Sequence, residues 1–331
     1  MATNLPPQYF EAEKKLKTAK SAQEKIEIYE ELMSIIPKHK ASEKLQAQLK
    51  TKISQLKSSL DKKSVTARHG SSYIIERSGA GQVVVVGPPN SGKSALIRSL
   101  TGASPEVGDY PFTTKIPAPF MMKFENIRIQ LIDTPPVSAD FLETGLAEAV
   151  KISDGLVVVL DAASPDAASD LENVTLKLGE KKIELIPADG EVPALVPPFR
   201  KRTLIVAHKS DLDPGGERLA ELRTLFQSGP EFIPFSSAGG ESADPLKRRI
   251  FLMLDIIRVY SKAPGKKADR DEPFTLKRGS TVQDMARAVH KDFSQSLKYA
   301  RLWRESSAAY QGSMVNRDQV LDDQDTVELH L

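Results

Sequence analysis

The chain of 331 residues contains no cysteine. Disulfides and cysteine-ligated metals are thereby excluded, and a reducing cytoplasm suits such a sequence. Net charge is also scarce, at +2, so composition alone does not announce a nucleic-acid binder. Long apolar runs are missing. Stretches such as Leu156-Val157-Val158-Val159-Leu160 have strand length and are far too short to span a bilayer. The opening Met1-Ala2-Thr3-Asn4-Leu5-Pro6-Pro7 shows no basic region followed by an apolar stretch, so no signal peptide is visible. These absences predict a soluble cytoplasmic protein with two or three cores and no membrane partner.

The most informative segment is Gly87-Pro88-Pro89-Asn90-Ser91-Gly92-Lys93-Ser94, which follows four valines and leads into Ala95-Leu96-Ile97. A buried strand, a Gly-x4-Gly-Lys-Ser turn and a helix start stand in the order that a phosphate-binding loop requires. Backbone N–H groups of such a turn, with the positive end of the helix, wrap a phosphate chain. Lys93 is expected to reach the terminal phosphates and the Ser94 hydroxyl to bind Mg²⁺. The alternative is a chance match in a Gly/Ser-rich turn. The flanking strand and helix argue against it, and a nucleoside triphosphate site is expected.

Three segments are expected. Residues 1–68 have helical periodicity: Ser21-Ala22-Gln23-Glu24 forms a capping box, Ile26, Tyr29, Leu32, Met33 and Ile36 mark one face, and Pro37 stops it. A second stripe follows at Leu45, Leu49, Ile53, Leu56 and Leu60. Between Lys38 and Lys63 eight lysines face two acids, Glu43 and Asp61, which makes one side of a helical hairpin basic or simply well solvated. Residues 69–262 alternate short apolar strands with amphipathic helices, the pattern of a mostly parallel α/β sheet. Strands are expected at Val83–Val86, Ile127–Ile132, Gly155–Leu160, Thr203–Ala207 and Phe232–Phe235, with Met121–Phe124 completing one antiparallel hairpin around Glu125-Asn126. The proline-rich stretch from Ile186 to Arg202 reads as an inserted loop. After a linker at Ala263-Pro264-Gly265-Lys266-Lys267, residues 263–331 read as a β-β-α-β-β module whose helix is capped by Ser280-x-x-Gln283.

Downstream motifs choose the base. Asp133-Thr134-Pro135 ends a strand, where a carboxylate can hold Mg²⁺ through water. Thr114, in Tyr110-Pro111-Phe112-Thr113-Thr114, stands where a second Mg²⁺-binding hydroxyl belongs. In His208-Lys209-Ser210-Asp211 the carboxylate of Asp211 can accept two hydrogen bonds from guanine, while the Lys209 stem covers the nucleotide loop. Adenine would leave that carboxylate unpaired, and a site built for hydrogen bonds rejects an analogue lacking them by about 10⁴-fold or more. Ser236-Ser237 supplies the last base-contacting turn.

In this order the five motifs resemble the translation-factor class of P-loop GTPases. Tyr110-Pro111-Phe112-Thr113-Thr114 and Asp133-Thr134-Pro135 are similar to the Obg branch, especially its developmentally regulated GTP-binding (DRG) proteins. Phe274-Thr275-Leu276-Lys277-Arg278-Gly279-Ser280-Thr281-Val282, His290-Lys291-Asp292-Phe293 and Lys298-Tyr299-Ala300-Arg301 resemble a TGS domain, a ubiquitin-like β-grasp. The resemblance implies a GTPase with Mg²⁺ that acts on or near ribosomes, binds structured RNA or a ribosome-associated protein, and has no DNA partner. Three departures qualify it. Pro136 replaces a glycine and has no N–H for the third phosphate. Val137 stands where many GTPases place a water-orienting glutamine, and His208 replaces the usual Asn or Thr of the base motif. Asn90 is the candidate ligand for K⁺, which would neutralise charge developing between the phosphates; the alternative is a plain turn asparagine.

The terminal module collects Lys277, Arg278, Arg287, Lys291, Lys298, Arg301 and Arg304 before a run of acids. Along Leu297–Trp303, alternation places Tyr299, Arg301 and Trp303 on one face, where they could stack RNA bases; the alternative puts Trp303 in the core. Two functions follow: a slow GTP-hydrolysing switch at the ribosome or on RNA, or a catalytically weak GTP-binding scaffold whose basic ends do the binding.

Overall fold

The computed structural model describes residues 75–331 apart from 103–116, 139–141, 193–195, 228, 239 and 241, together with positions 28, 29, 32, 33, 35, 49 and 52. The chain divides into two units, residues 1–72 and 73–331. In the first, the described positions are helical, and Leu32 and Leu49 are buried with Ile28, Tyr29, Met33 and Ile35 against them. Both leucines come from the apolar stripes of the sequence. Of the lysine-rich face only Lys52 is described, with its ammonium 5.6 Å from the Tyr29 ring centroid.

In the second unit every residue of β1 (Gln82–Val86) is buried, because its neighbours cover both faces. Val84 and Val86 point into one apolar cluster and Val83 and Val85 into another. A run without polar alternation is what a central parallel strand needs. The first sheet also contains β2 (Ala118–Phe124), β3 (Ile127–Asp133), β4 (Gly155–Asp161), β5 (Ile183–Ile186), β6 (Phe199–His208) and β7 (Glu231–Phe235), in the order β2-β3-β1-β4-β6-β5 with β7 also pairing β6. Only β2 runs antiparallel to its neighbour; the pairings of β1, β4, β5, β6 and β7 are parallel. Helices α1 (Lys93–Thr101) and α5 (Asp244–Met253) pack on one face, and α2 (Thr144–Ile152), α3 (Ala167–Glu180) and α4 (Glu217–Leu225) on the other.

The proline-rich stretch is shorter as a loop than the sequence suggests. β6 starts at Phe199, and Arg200, Lys201 and Arg202 belong to a strand paired with β5. Three consecutive basic residues hide it. Lys201 is buried, and its ammonium donates to the Ser153 carbonyl at 2.6 Å, so its charge is held inside a strand. Burial pushes this lysine's pKa down to about 8, with Asp154 opposing the shift.

The second sheet has the order β11-β10-β12-β8-β9. Its strands are β8 (Ile256–Ser261), β9 (Phe274–Lys277), β10 (Tyr299–Trp303), β11 (Gln311–Val315) and β12 (Asp325–His330), with α6 (Val282–Val289) and α7 (Lys291–Ser296) between β9 and β10. Two corrections follow. β8 lies before the linker yet pairs with β9 and β12, so this sheet begins ahead of residue 263. The cap of α6 is Thr281, not Ser280: its N–H donates to Asp284 Oδ2 at 2.9 Å, closing a capping box one residue later. A carboxylate is a stronger acceptor than the Gln283 amide, which decides the register.

Arg258 on β8 ties the two sheets together. Its side chain is 3% exposed and donates to Asp323 at 2.7 Å and to Glu125, at the tip of the β2–β3 hairpin. The guanidinium carbon lies 5.0 Å from the Phe251 ring centroid and 5.9 Å from that of Phe124. Beside it, Asn126 donates to the Tyr260 hydroxyl at 2.9 Å. Losing one partner of a buried ion pair costs about 3–5 kcal/mol, less where the remaining carboxylate is solvated. Glu125 is half exposed, so Arg258→Ala is expected to lower stability by ~2–3 kcal/mol in urea unfolding. A loss below ~0.5 kcal/mol would show that the clasp contributes nothing.

Candidate nucleotide-binding site

The site is built at the C-terminal ends of adjacent parallel strands. Register places Val85 of β1 beside Asp133 of β3, Asp161 of β4 beside His208 of β6, and His208 beside Phe235 of β7. The loop Gly87–Gly92 leaves β1 and enters α1, whose first residues are Lys93 and Ser94. Gly87 is required by close approach, since a Cβ there would lie 2.2 Å from the Val159 carbonyl oxygen. Asn90 takes φ 59°, a left-handed value that asparagine tolerates better than most residues.

Lys93 is buried, and its ammonium donates to the carbonyls of Gly87 at 3.1 Å and Pro88 at 2.8 Å. Desolvation pushes its pKa down to about 8, although Asp133 pulls the other way. A phosphate chain in the loop would supply the anionic partner that this lysine lacks. Ser91, also buried, donates to the Pro88 carbonyl at 3.0 Å, which tightens the turn. Pro89 and Asn90 are exposed at its tip.

Ser94 donates to Asp133 Oδ2 at 2.7 Å. The other carboxylate oxygen, Oδ1, is buried and has no hydrogen-bond partner, and burial raises the pKa of Asp133. A hydroxyl beside a half-satisfied buried carboxylate is a hard oxygen pair that fits Mg²⁺. Thr114, the third expected ligand, lies outside the described residues.

The residues expected on the base side are His208, Lys209, Asp211, Ser236 and Ser237. Lys209 donates to the Asn90 carbonyl of the loop at 3.1 Å and to Asp161 at 2.6 Å. Asp211, exposed, accepts from the Ser236 hydroxyl. His208 is buried, with Nε2 2.8 Å from Ser237 Oγ and Nδ1 without a partner. Burial, helped by Lys209, lowers its pKa.

The Nδ1 edge of that ring lies against the loop. A Cβ on Gly92 would sit 2.2 Å from His208 Nδ1, and Gly92 has φ 94°. Two residues went unmarked in the sequence. Asp161 anchors Lys209 and accepts from the Ala163 amide at 2.9 Å, and Ser99 of α1 donates to Ser237 at 3.0 Å. A carboxylate ending the apolar run of β4 is the signal that could have marked the first; Ser99 carries none. A cavity of about 440 Å³ lined by Leu171, Ile183, Leu185, Phe226 and Pro230 contains none of these groups.

Gly92→Ala is expected to lower stability by ~3 kcal/mol, combining a strained φ with the clash against His208. Adding His208→Ala should relieve the clash but leave the strain. Chemical denaturation of both single variants and the double variant should therefore give a coupling energy above ~0.5 kcal/mol; strict additivity would separate ring and loop.

Comparison with known proteins agrees with this geometry. Residues 82–188 match the family model described as 50S ribosome-binding GTPase, and residues 257–331 match the TGS domain. The chain is 28% identical to an uncharacterized GTP-binding protein of Methanocaldococcus jannaschii, covering 93% of this chain and 92% of that protein. It is 27% identical to developmentally-regulated G-protein 1 of Arabidopsis thaliana, with 92% and 90% covered. Ribosome-interacting GTPase 1 of Saccharomyces cerevisiae is 25% identical, with 92% and 98% covered. A crystal structure of a GTP binding protein from Pyrococcus horikoshii shares the fold at a TM-score of 0.50 and 17% identity, covering 75% of this chain and 99% of that one. The chain thus matches a 50S ribosome-binding GTPase domain and a C-terminal TGS domain, and it is similar over nearly its whole length to the developmentally regulated G-proteins.

Proposed function

We propose that the protein binds GTP and GDP with Mg²⁺, hydrolyses GTP slowly and works at the ribosome as a nucleotide-dependent switch. The observation that carries the reading is the convergence of Lys93, Ser94–Asp133 and Asp211–Ser236 on one end of one sheet. In this reading Lys93 exchanges the carbonyls of Gly87 and Pro88 for phosphate oxygens. Ser94, Asp133 and Thr114 hold Mg²⁺, which neutralises the phosphate oxygens. Asp211 accepts from guanine, and Lys209 and His208 brace the loop beneath the base. Water activation is the weak step. Val137 is buried and apolar, so it orients no water, and Pro136 has no N–H. Asn90, exposed at the loop tip, is the residue we assign to K⁺.

Fluorescent GDP, GTP and ATP titrations test the binding step. Guanine should win by 10³-fold or more, and Asp211→Ala should erase most of that margin. Unaided turnover should be on the order of 10⁻³ per second or below, faster in K⁺ than in Na⁺ only while Asn90 is present. Equal affinities for the two bases would reject the assignment, and equal rates in the two salts would reject the K⁺ site.

Ribosome association rests on the relatives and on charge. In the second sheet Ala300 and Leu302 are buried, and Arg301 on the opposite face is exposed. Tyr299 already stacks on His330, with ring centroids 4.5 Å apart, and Lys262 sits 4.4 Å over Trp303. Arg278, Arg287 and Arg304 are engaged by Asp255, Asp284 and Asp322 with Asp325. The basic surface proposed for RNA is therefore Lys277, Lys291, Lys298 and Arg301, with the N-terminal lysines. Co-sedimentation with ribosomes should weaken steeply with salt, by a log–log slope of roughly 0.7–0.9 per phosphate contact. Lys298→Glu with Arg301→Glu should reduce it at least tenfold. Unchanged binding would move the contact elsewhere. The scaffold reading is favoured instead if turnover stays immeasurable while salt-sensitive ribosome binding persists.

A further inference from the structure

The segment Thr134-Pro135-Pro136-Val137 leaves Asp133 and touches the phosphate loop at both of its ends. At the near end Asp133 accepts from Ser94. At the far end the Val137 amide donates to the Gly87 carbonyl at 3.0 Å. A terminal phosphate leaving the loop would meet this stretch, and an extended backbone greets an anion only through its N–H groups. Only two of the four residues carry an N–H at all. Thr134 is buried, and its hydroxyl donates to the Val85 carbonyl at 2.6 Å. Pro135 and Pro136 have no N–H. The Val137 N–H is consumed by Gly87.

Its side chain adds a second restraint. Val137 is 3% exposed and joins the cluster of Leu142, Leu146 and Val150 beneath α2. Swinging the segment toward a phosphate would break the amide bond to Gly87 and withdraw a buried valine, with two prolines stiffening the approach. We infer that residues 134–137 form a fixed strut which braces the phosphate loop and does not sense the third phosphate. This rests on the nucleotide-binding reading above. Any response to that phosphate must then come through other residues.

The test uses the full chain with GDP and with a non-hydrolysable imido analogue of GTP. Amide hydrogen exchange at Val137 should be equally slow in both states, within about twofold. Pro136→Gly adds an N–H and slackens the strut, so the affinity ratio of analogue to GDP should rise about tenfold or more over wild type. A Val137 amide protected with GDP but released with the analogue overturns the inference, and needs no variant. So does a Pro136→Gly ratio equal to that of wild type. If neither nucleotide binds the wild-type chain, the nucleotide site itself is refuted and the strut with it. Tight GDP binding beside a mobile Val137 amide rejects the strut alone.

Discussion

Parallel register is the constraint on which the molecule depends. Once β3, β4, β6 and β7 are hydrogen-bonded in parallel, their C-terminal residues emerge at one end of the sheet. Asp133, Asp161, His208 and the serines after β7 are brought together by backbone pairing, before any side chain contacts another. The loop after β1 can then be short and fully braced. Gly87 takes the Val137 amide, Pro88 takes Lys93 and Ser91, and Asn90 takes Lys209. The site is stiff because its carbonyls are already spoken for.

The same register carries stiffness outward. β3 ends at Asp133 in the site and begins at Ile127, next to the turn Glu125-Asn126 that meets Arg258 and Tyr260 of the second sheet. A hairpin of two seven-residue strands therefore spans from the Asp133 carboxylate to the TGS domain. The clasp at Arg258 ties the far end of the hairpin to a second module.

Much of this was legible in the chain. Four consecutive valines before a Gly-x4-Gly-Lys-Ser turn admit few other structures, and carboxylates or hydroxyls ending apolar runs mark strand ends. What was hidden was hidden by charge and by brevity. Lys201 and Arg258 look like surface residues, yet one is buried on a carbonyl and the other inside a carboxylate–aromatic cage. β8 follows α5 after only Leu254 and Asp255, and no composition break separates it from the first domain. Arg278, Arg287 and Arg304 counted toward a basic surface until their acidic partners were seen to fold back on them.

The sequence by itself determined the strand–loop–helix unit, the alternation that makes a parallel sheet and the residue types able to meet phosphate, Mg²⁺ and guanine. Those are local properties, set by periodicity and by the chemistry of short motifs. Only the tertiary structure decided that His208 presses on Gly92, that Asp161 holds Lys209 and that the amide of Val137 is closed against Gly87. Each of these joins residues more than forty positions apart along the chain, and no local pattern encodes such a pairing. Whether a group is free for a ligand depends on which distant carbonyl or carboxylate reaches it first, and that is fixed only when the sheet closes.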